Sequence, residues 1–227
     1  MIKQGEIRGY IVNLTKESTI NMNLHMYWMQ GWDKAPPRAL RNRDAWKKLG
    51  FNVICWDDSN VDIKWNSIFP AAMRADISLS RGMYRLGGIA VGADSSPIDT
   101  KTMLDSIKLL PPGIGQLIWQ SKKSSPKIDR PYIAGSYFPK GNEFIKEVVH
   151  KHNNVLKQNF TSIPSPINYT GPHLWAKVYK THSSYVNVID GEKAFLTEPR
   201  TDRISDVAWL DAGFANDWNA KKTENWK

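Results

Sequence analysis

The chain has 227 residues, 41% of them hydrophobic and 23% charged, which is the balance of a folded globular protein and excludes general disorder. No run of about 18 apolar residues occurs, so no segment reads as a membrane-spanning helix. The formal charge of +9 favours an anionic partner. The basic residues are scattered, however, in loose clusters at Arg38–Lys48, Lys122–Arg130 and Lys221–Lys227. None is interleaved with aromatics in the way that grips nucleic acid, so the expected anion is a phosphate-bearing small molecule or an anionic lipid face. Cys55 is the only cysteine, which excludes an internal disulfide and suits a reducing compartment. Met1–Glu6 lacks the apolar centre of a signal peptide. The expected location is the cytoplasm, with peripheral membrane contact through the basic surface.

In chain order, Leu24–Trp28 is apolar and aromatic and predicts a buried strand, followed by a loop over Gly31–Pro37. Pro36-Pro37 opens a helix whose apolar positions are Leu40, Trp46 and Leu49 and whose stop is Gly50. Phe51–Trp56 predicts a second strand, and Asp57-Asp58-Ser59 is turn or cap chemistry. A helix over Pro70–Leu86 carries Met73, Ile77 and Tyr84 at helical spacing and stops at Gly87-Gly88. Ile89-Ala90-Val91 is a short apolar strand leading to a turn that ends on Asp94. Beyond it, Ile107–Leu110, Gln116–Trp119 and Tyr132–Phe138 read as strands, with an exposed polar loop over Ser121–Pro131. A helix from about Asn142 to Phe160 presents Ile145, Val148, Val149, Val155 and Leu156 on one side. Thr170-Gly171-Pro172 is a good helix start. Alternating strands and helices predict an α/β fold, a central mainly parallel sheet flanked by helices. Ligands of such sheets bind at the carboxyl ends of strands, where Trp28, Asp57 and Asp94 fall.

Taken in order, four local patterns resemble one family, the sugar transferases with a DXD motif. The type is that of capsule synthesis and of the yeast initiating α-mannosyltransferases, whose core is shared with large glucosylating toxins. Leu24-His25-Met26-Tyr27-Trp28 resembles the family's opening strand, and Phe51–Asp58 its second strand, which ends in a pair of acids. The Ala75-Asp76 helix with Gly87-Gly88-Ile89 and Asp94 resembles the segment that delivers the motif. Tyr169-Thr170-Gly171-Pro172 is similar to a Thr-Gly-Pro segment ahead of a late helix. Two positions depart from the pattern: the motif reads Gly92-Ala93-Asp94, without its first acid, and the Arg expected three residues after Asp76 is Leu79.

The resemblance implies a GT-A-like nucleotide-sugar-binding fold in one glycosyltransferase domain over 1–227. Its nucleotide-binding part would span about 20–100 and its part closing on acceptor and donor about 101–227. It implies transfer of a hexose from a UDP- or GDP-sugar to a hydroxyl of a glycan or glycolipid, with retention of configuration and with Mn2+ or Mg2+. Asp94 would be the metal ligand, because a hard oxygen is needed to hold a divalent ion against two phosphates. The alternative is a turn Asp capping Ser95-Ser96-Pro97. Asp76 would accept hydrogen bonds from donor-sugar hydroxyls, or be an exposed acid paired with Arg74 or Arg81; Arg81 is also the candidate to replace the missing Arg. Gly92 would let the backbone approach a nucleotide, or supply a positive φ. Gly88 belongs to the same motif segment. Trp28 would stack on a base or join the core, and His25 beside it would face the donor or be a satisfied buried imidazole. Asp57 would hold a ribose or cap a turn, and Thr170, Gly171 and Pro172 would shape the donor side. Asp217 and Trp218 are the best match for the family's C-terminal site pair. The alternative for the whole chain is a module of this fold that binds a sugar nucleotide or glycan without turning it over.

Overall fold

The computed structural model describes residues 20–120, 129–191 and 210–211. Its centre is a six-stranded sheet in the order β2-β1-β3-β6-β5-β7. The strands are β1 (Asn23–Tyr27), β2 (Asn52–Trp56), β3 (Gly88–Ala90), β5 (Gly115–Gln120), β6 (Arg130–Phe138) and β7 (Val186–Asp190). Pairing is parallel for β1 with β2 and β3 and for β5 with β7, while β6 runs against both β3 and β5. The sheet is therefore mainly parallel, as the alternation of elements predicts, with β6 alone reversed among the described strands. A separate short ladder joins β4 (Ser96–Pro97) to β8 (Leu210–Asp211).

Helices cover both faces. On one side α1 (Pro37–Lys48) and α3 (Thr100–Lys108) bury Ala39, Trp46, Met103 and Ile107 against Leu24, Met26, Ile89, Val91 and Ile118. On the other, α2 (Ala71–Leu86), α4 (Glu143–Leu156) and, after the short α5 (Pro166–Tyr169), α6 (Pro172–His182) enclose Met83, Phe144, Ile145, Val148 and Trp175 with Tyr27, Ala90, Leu117 and Phe138. Strand residues alternate between these two layers, so each strand feeds both cores. Each fully buried large apolar side chain contributes roughly 1.5–3 kcal/mol.

The crossover from β2 through α2 to β3 sets the polarity of the site. Arg74 on the first turn of α2 pairs with Asp58, just past the end of β2. At its other end, the Leu86 carbonyl accepts from Asn23 Nδ2 at the start of β1, 2.9 Å away. Thus α2 begins at the carboxyl edge of the sheet and returns to the amino edge. Gly87 and Gly88 make the reversal with φ of 69° and 122°. At Gly88 a Cβ would collide with the backbone of Asn23, so only glycine fits between these chains.

Two expectations need correcting. Ile107–Leu110 is not a strand but the end of α3 and its exit turn. Asp99 caps that helix by accepting from the Thr102 backbone N–H at 3.0 Å, and Met103 and Ile107, four residues apart, are its buried stripe. Leu109, which gave the segment its strand-like character, is 85% exposed. The strand β7 adds to the strands expected from the sequence, and its Val186-Asn187-Val188 alternates in the manner of an edge strand. The loop expected over Ser121–Pro131 gives way to β6 at Arg130, and its positions 121–128 lie outside the described residues.

Candidate functional site

Trp28, Asp57 and Asp94 follow the last residues of β1, β2 and β3 and so share the carboxyl edge of the sheet. The turn carrying Asp94 is fixed from beneath. Val91 N–H donates to the His25 carbonyl at 3.0 Å and Ser95 N–H to the Gly92 carbonyl at 3.0 Å. Two side chains of α1 hold the rest: Asn42 Nδ2 donates to the Ala93 carbonyl at 3.1 Å and Trp46 Nε1 to the Ser95 carbonyl at 3.0 Å. Ala93 and Ser95 are buried, while Gly92 and Asp94 keep part of their surface. The backbone of the turn is thus anchored.

Gly92 is not among the glycines with positive φ, so a left-handed turn is not what requires it. A Cβ at this position would run into the carboxylate of Asp94 and lie 3.2 Å from Ser95 Oγ.

Asp76 lies one to two turns into α2, near the carboxyl edge. Its Oδ2 accepts from Thr170 Oγ1 at 2.8 Å, a contact between positions 94 residues apart. Gly171 lies against the same carboxylate, since a Cβ there would stand 3.1 Å from Oδ2. The sequence elements Ala75-Asp76 and Thr170-Gly171-Pro172 therefore meet in space. No cation pairs with Asp76 among the described residues: Arg74 is engaged by Asp58, and Arg81 donates to Asn153 Oδ1 at 2.6 Å and to the Asp62 carbonyl at 3.3 Å. The protein packed around Asp76 pushes its carboxyl up to about 7, and the Thr170 hydrogen bond works against that rise. The residue keeps some exposed surface. Leu79, in the place of the expected Arg, is 7% exposed and belongs to the apolar layer, so no cation is supplied from there.

Other candidates have structural partners. The His25 ring is wholly buried, with Nε2 donating to the Gly87 carbonyl at 2.9 Å and Nδ1 accepting from Trp56 Nε1 at 3.1 Å. Burial lowers its pKa, so it is a neutral brace of α2 on β1. Room for it is made by Gly82, where a Cβ would stand 2.8 Å from His25 Nδ1 and 2.9 Å from Trp56 Nε1. Gly88 is at the amino end of β3, away from the Asp94 tip. Trp28 packs partly buried on the α1 core layer. Asp57 caps its own turn, accepting from the Ser59 N–H at 2.8 Å and the Asn60 N–H at 3.2 Å. Asp58 receives both Tyr27 Oη and Arg74, which ties β1 to the start of α2. Pro172 is the first residue of α6 and Gly171 its N-cap position. Asp217 and Trp218 lie outside the described residues, although the nearby β8 pairs Asp211 with Ser96, two residues from Asp94.

One residue at the site escaped sequence reasoning. His152 on α4 is wholly buried and donates from Nε2 to the Thr170 carbonyl at 2.8 Å. Nothing local marks it, because its partner comes from another element.

The residues fit a divalent cation only in a limited sense. Among the described residues no group of three His, Cys, Asp or Glu side chains could hold one. A lone carboxylate still suits Mg2+ or Mn2+ that arrives on a diphosphate, since such ions keep waters and use one or two carboxylates beside substrate phosphates. No described helix is long and apolar enough to cross a membrane.

No family model and no curated protein matches the chain. Among solved structures it is similar to PaToxG glycosyltransferase, with 15% identity over 70% of this chain and 69% of that one, at a TM-score of 0.49. It is also similar to a glycosyltransferase involved in the glycosylation of the major capsid of PBCV-1. There the identity is 11% over 78% of this chain and 86% of that one, again at a TM-score of 0.49.

Proposed function

We propose, from this chain's own residues, that it is a glycosyltransferase that takes a hexose from a UDP- or GDP-sugar and passes it to a hydroxyl of a glycan or glycolipid. One observation carries this: Asp76, a carboxylate without a cation partner among the described residues, is met by Thr170 and Gly171 from 94 and 95 positions further along the chain. An acid so placed is short of hydrogen-bond donors, and sugar hydroxyls are donors of the right kind. The Thr170 hydroxyl holds one oxygen, and the other is left for the ligand. Asp94, on its anchored turn at the same edge of the sheet, suits the diphosphate end of such a donor. A divalent ion there would neutralise the charge that builds on the departing diphosphate.

The chain's share of the chemistry is then mostly positioning. Asp76 orients the sugar, the Gly92–Ser95 turn sets where the phosphates lie, and the sheet edge excludes water from beneath. If configuration is retained, the leaving phosphate oxygen takes the acceptor proton on the same face, and no side chain need act as a strong base.

Calorimetry with UDP, GDP, UDP-glucose, UDP-galactose and GDP-mannose, each with and without Mn2+, tests the donor site. The expected result is tight binding within one base series, lost without Mn2+ and in Asp94→Ala. Binding that ignores both would contradict it. A second reading, a module that binds without turnover, is favoured by one feature: Gly92 removes the first motif acid. Under that reading sugar nucleotide binds but no nucleoside diphosphate is released.

A further inference from the structure

Thr170 is held from three sides: its N–H donates to the Pro166 carbonyl at 3.0 Å, and its hydroxyl lies 3.3 Å from the same oxygen. Its hydroxyl donates to Asp76 on α2, and its carbonyl accepts from His152 on α4. The carbonyl needs that partner. It lies just ahead of α6, whose first intrahelical bonds run from Leu174 and Trp175 to the Gly171 carbonyl instead. Thr170 is wholly buried, so water cannot easily replace a lost donor. The imidazole has the right form for the task. Nε2 carries the proton that it donates, while Nδ1 is buried without a hydrogen-bond partner. A protonated ring would leave a second N–H unsatisfied, and burial accordingly lowers the pKa to about 4.

We propose that His152 is a positioning residue for Asp76: holding the Thr170 carbonyl from α4 aims the Thr170 hydroxyl at Oδ2 of Asp76 and leaves Oδ1 to receive a hydroxyl of the donor sugar. This rests on the reading of Asp76 as the acceptor of sugar hydroxyls. His152 touches no ligand itself. It acts through Thr170, across three helices that packing alone would not hold to hydrogen-bond precision.

The test is the ratio of affinities for a sugar nucleotide and its bare nucleoside diphosphate, UDP-glucose against UDP and GDP-mannose against GDP, with Mn2+ throughout. The ratio isolates the sugar's contacts, whereas general damage to the fold lowers both affinities alike. In the wild type the ratio should favour the sugar nucleotide, and Asp76→Asn should abolish that preference. His152→Phe should cut the ratio about tenfold, the size of one hydrogen bond to a charged group. Thr170→Val should do the same, and the two together should cost no more than either alone. His152→Gln, whose amide can replace the Nε2 donor, should restore the preference.

A His152→Phe protein that loses both affinities equally, or keeps the full ratio while Asp76→Asn loses it, overturns the role of His152. Should His152→Phe not fold, Thr170→Val against Thr170→Ser decides, and an unchanged ratio in Thr170→Val overturns the proposal. A wild type with no preference for the sugar nucleotide, or a preference that survives in Asp76→Asn, overturns the reading of Asp76 and leaves His152 nothing to position.

Discussion

The two candidate acids are built in opposite ways. Asp94 sits on a turn whose backbone is fixed by short-range β-strand geometry and by two side chains of one helix, Asn42 and Trp46. Asp76 sits one to two turns into α2 and acquires its site only when Thr170 and Gly171 arrive from some 94 residues further along the sequence. The first site is rigid in its main chain. The second is rigid in its side chain and depends on distant packing. The difference suits the two ends of the proposed donor: a diphosphate needs charge near a fixed loop, whereas a sugar needs directed hydrogen bonds.

Substitutions should separate the two sites. The largest effect is expected from Asp94→Ala, which removes the only carboxylate offered by its turn. Transfer should fall by about 100-fold or more, with melting temperature nearly unchanged. Equal losses of stability and activity would place Asp94 in the framework instead. Asn42→Ala leaves the buried Ala93 carbonyl without its donor and should cost about 1–3 kcal/mol in denaturant unfolding. It should weaken Mn2+-dependent nucleotide binding while sparing the preference for sugar nucleotide over nucleotide.

The Asp76 side is sharpened by pH. Its folded-state pKa is raised from 3.8 to about 7, so the unfolded chain holds fewer protons between those values and stability falls as pH rises through them. The pKa of His152 is lowered from 6.5 to about 4, so its contribution runs the other way, with stability lost as pH falls through that window. The two slopes oppose each other between about 4 and 6.5. Asp76→Asn should therefore unmask a steeper loss towards acid and gain stability over the wild type at pH 8. His152→Gln should unmask a decline towards neutral pH. Melts of the three proteins across that range check both signs. The smallest effect is expected from Gly92→Ala. Its Cβ meets the end of the flexible Asp94 side chain, so stability should stay within about 0.5 kcal/mol while metal-dependent affinity drops severalfold.

How much of this was legible in the sequence follows the same division. The strands ending at Tyr27, Trp56 and Ala90, the helix over Ala71–Leu86 and the turn to Asp94 follow from apolar runs and glycine punctuation, which are local signals. Gly88 has a framework reason that the sequence does not announce, the Asn23 backbone, whereas the neighbour at Gly92 is only the end of the Asp94 side chain. Ile107–Leu110 reads as a strand because four residues, Lys108 among them, are too few to show a period, and the Asp99 cap and the Met103–Ile107 stripe begin upstream. His25 was legible as a buried imidazole, but not the Gly82 hollow that admits it. His152 was invisible, because a histidine on one face of a helix announces nothing until Thr170 is placed against it.

The most direct measurement is release of nucleoside diphosphate from the sugar nucleotide that binds best, with Mn2+, by wild type, Asp94→Ala and Asp76→Asn. The account predicts release by the wild type and its collapse in both variants, with all three proteins folded. Binding without release in the wild type, or release that persists in both variants, would contradict it.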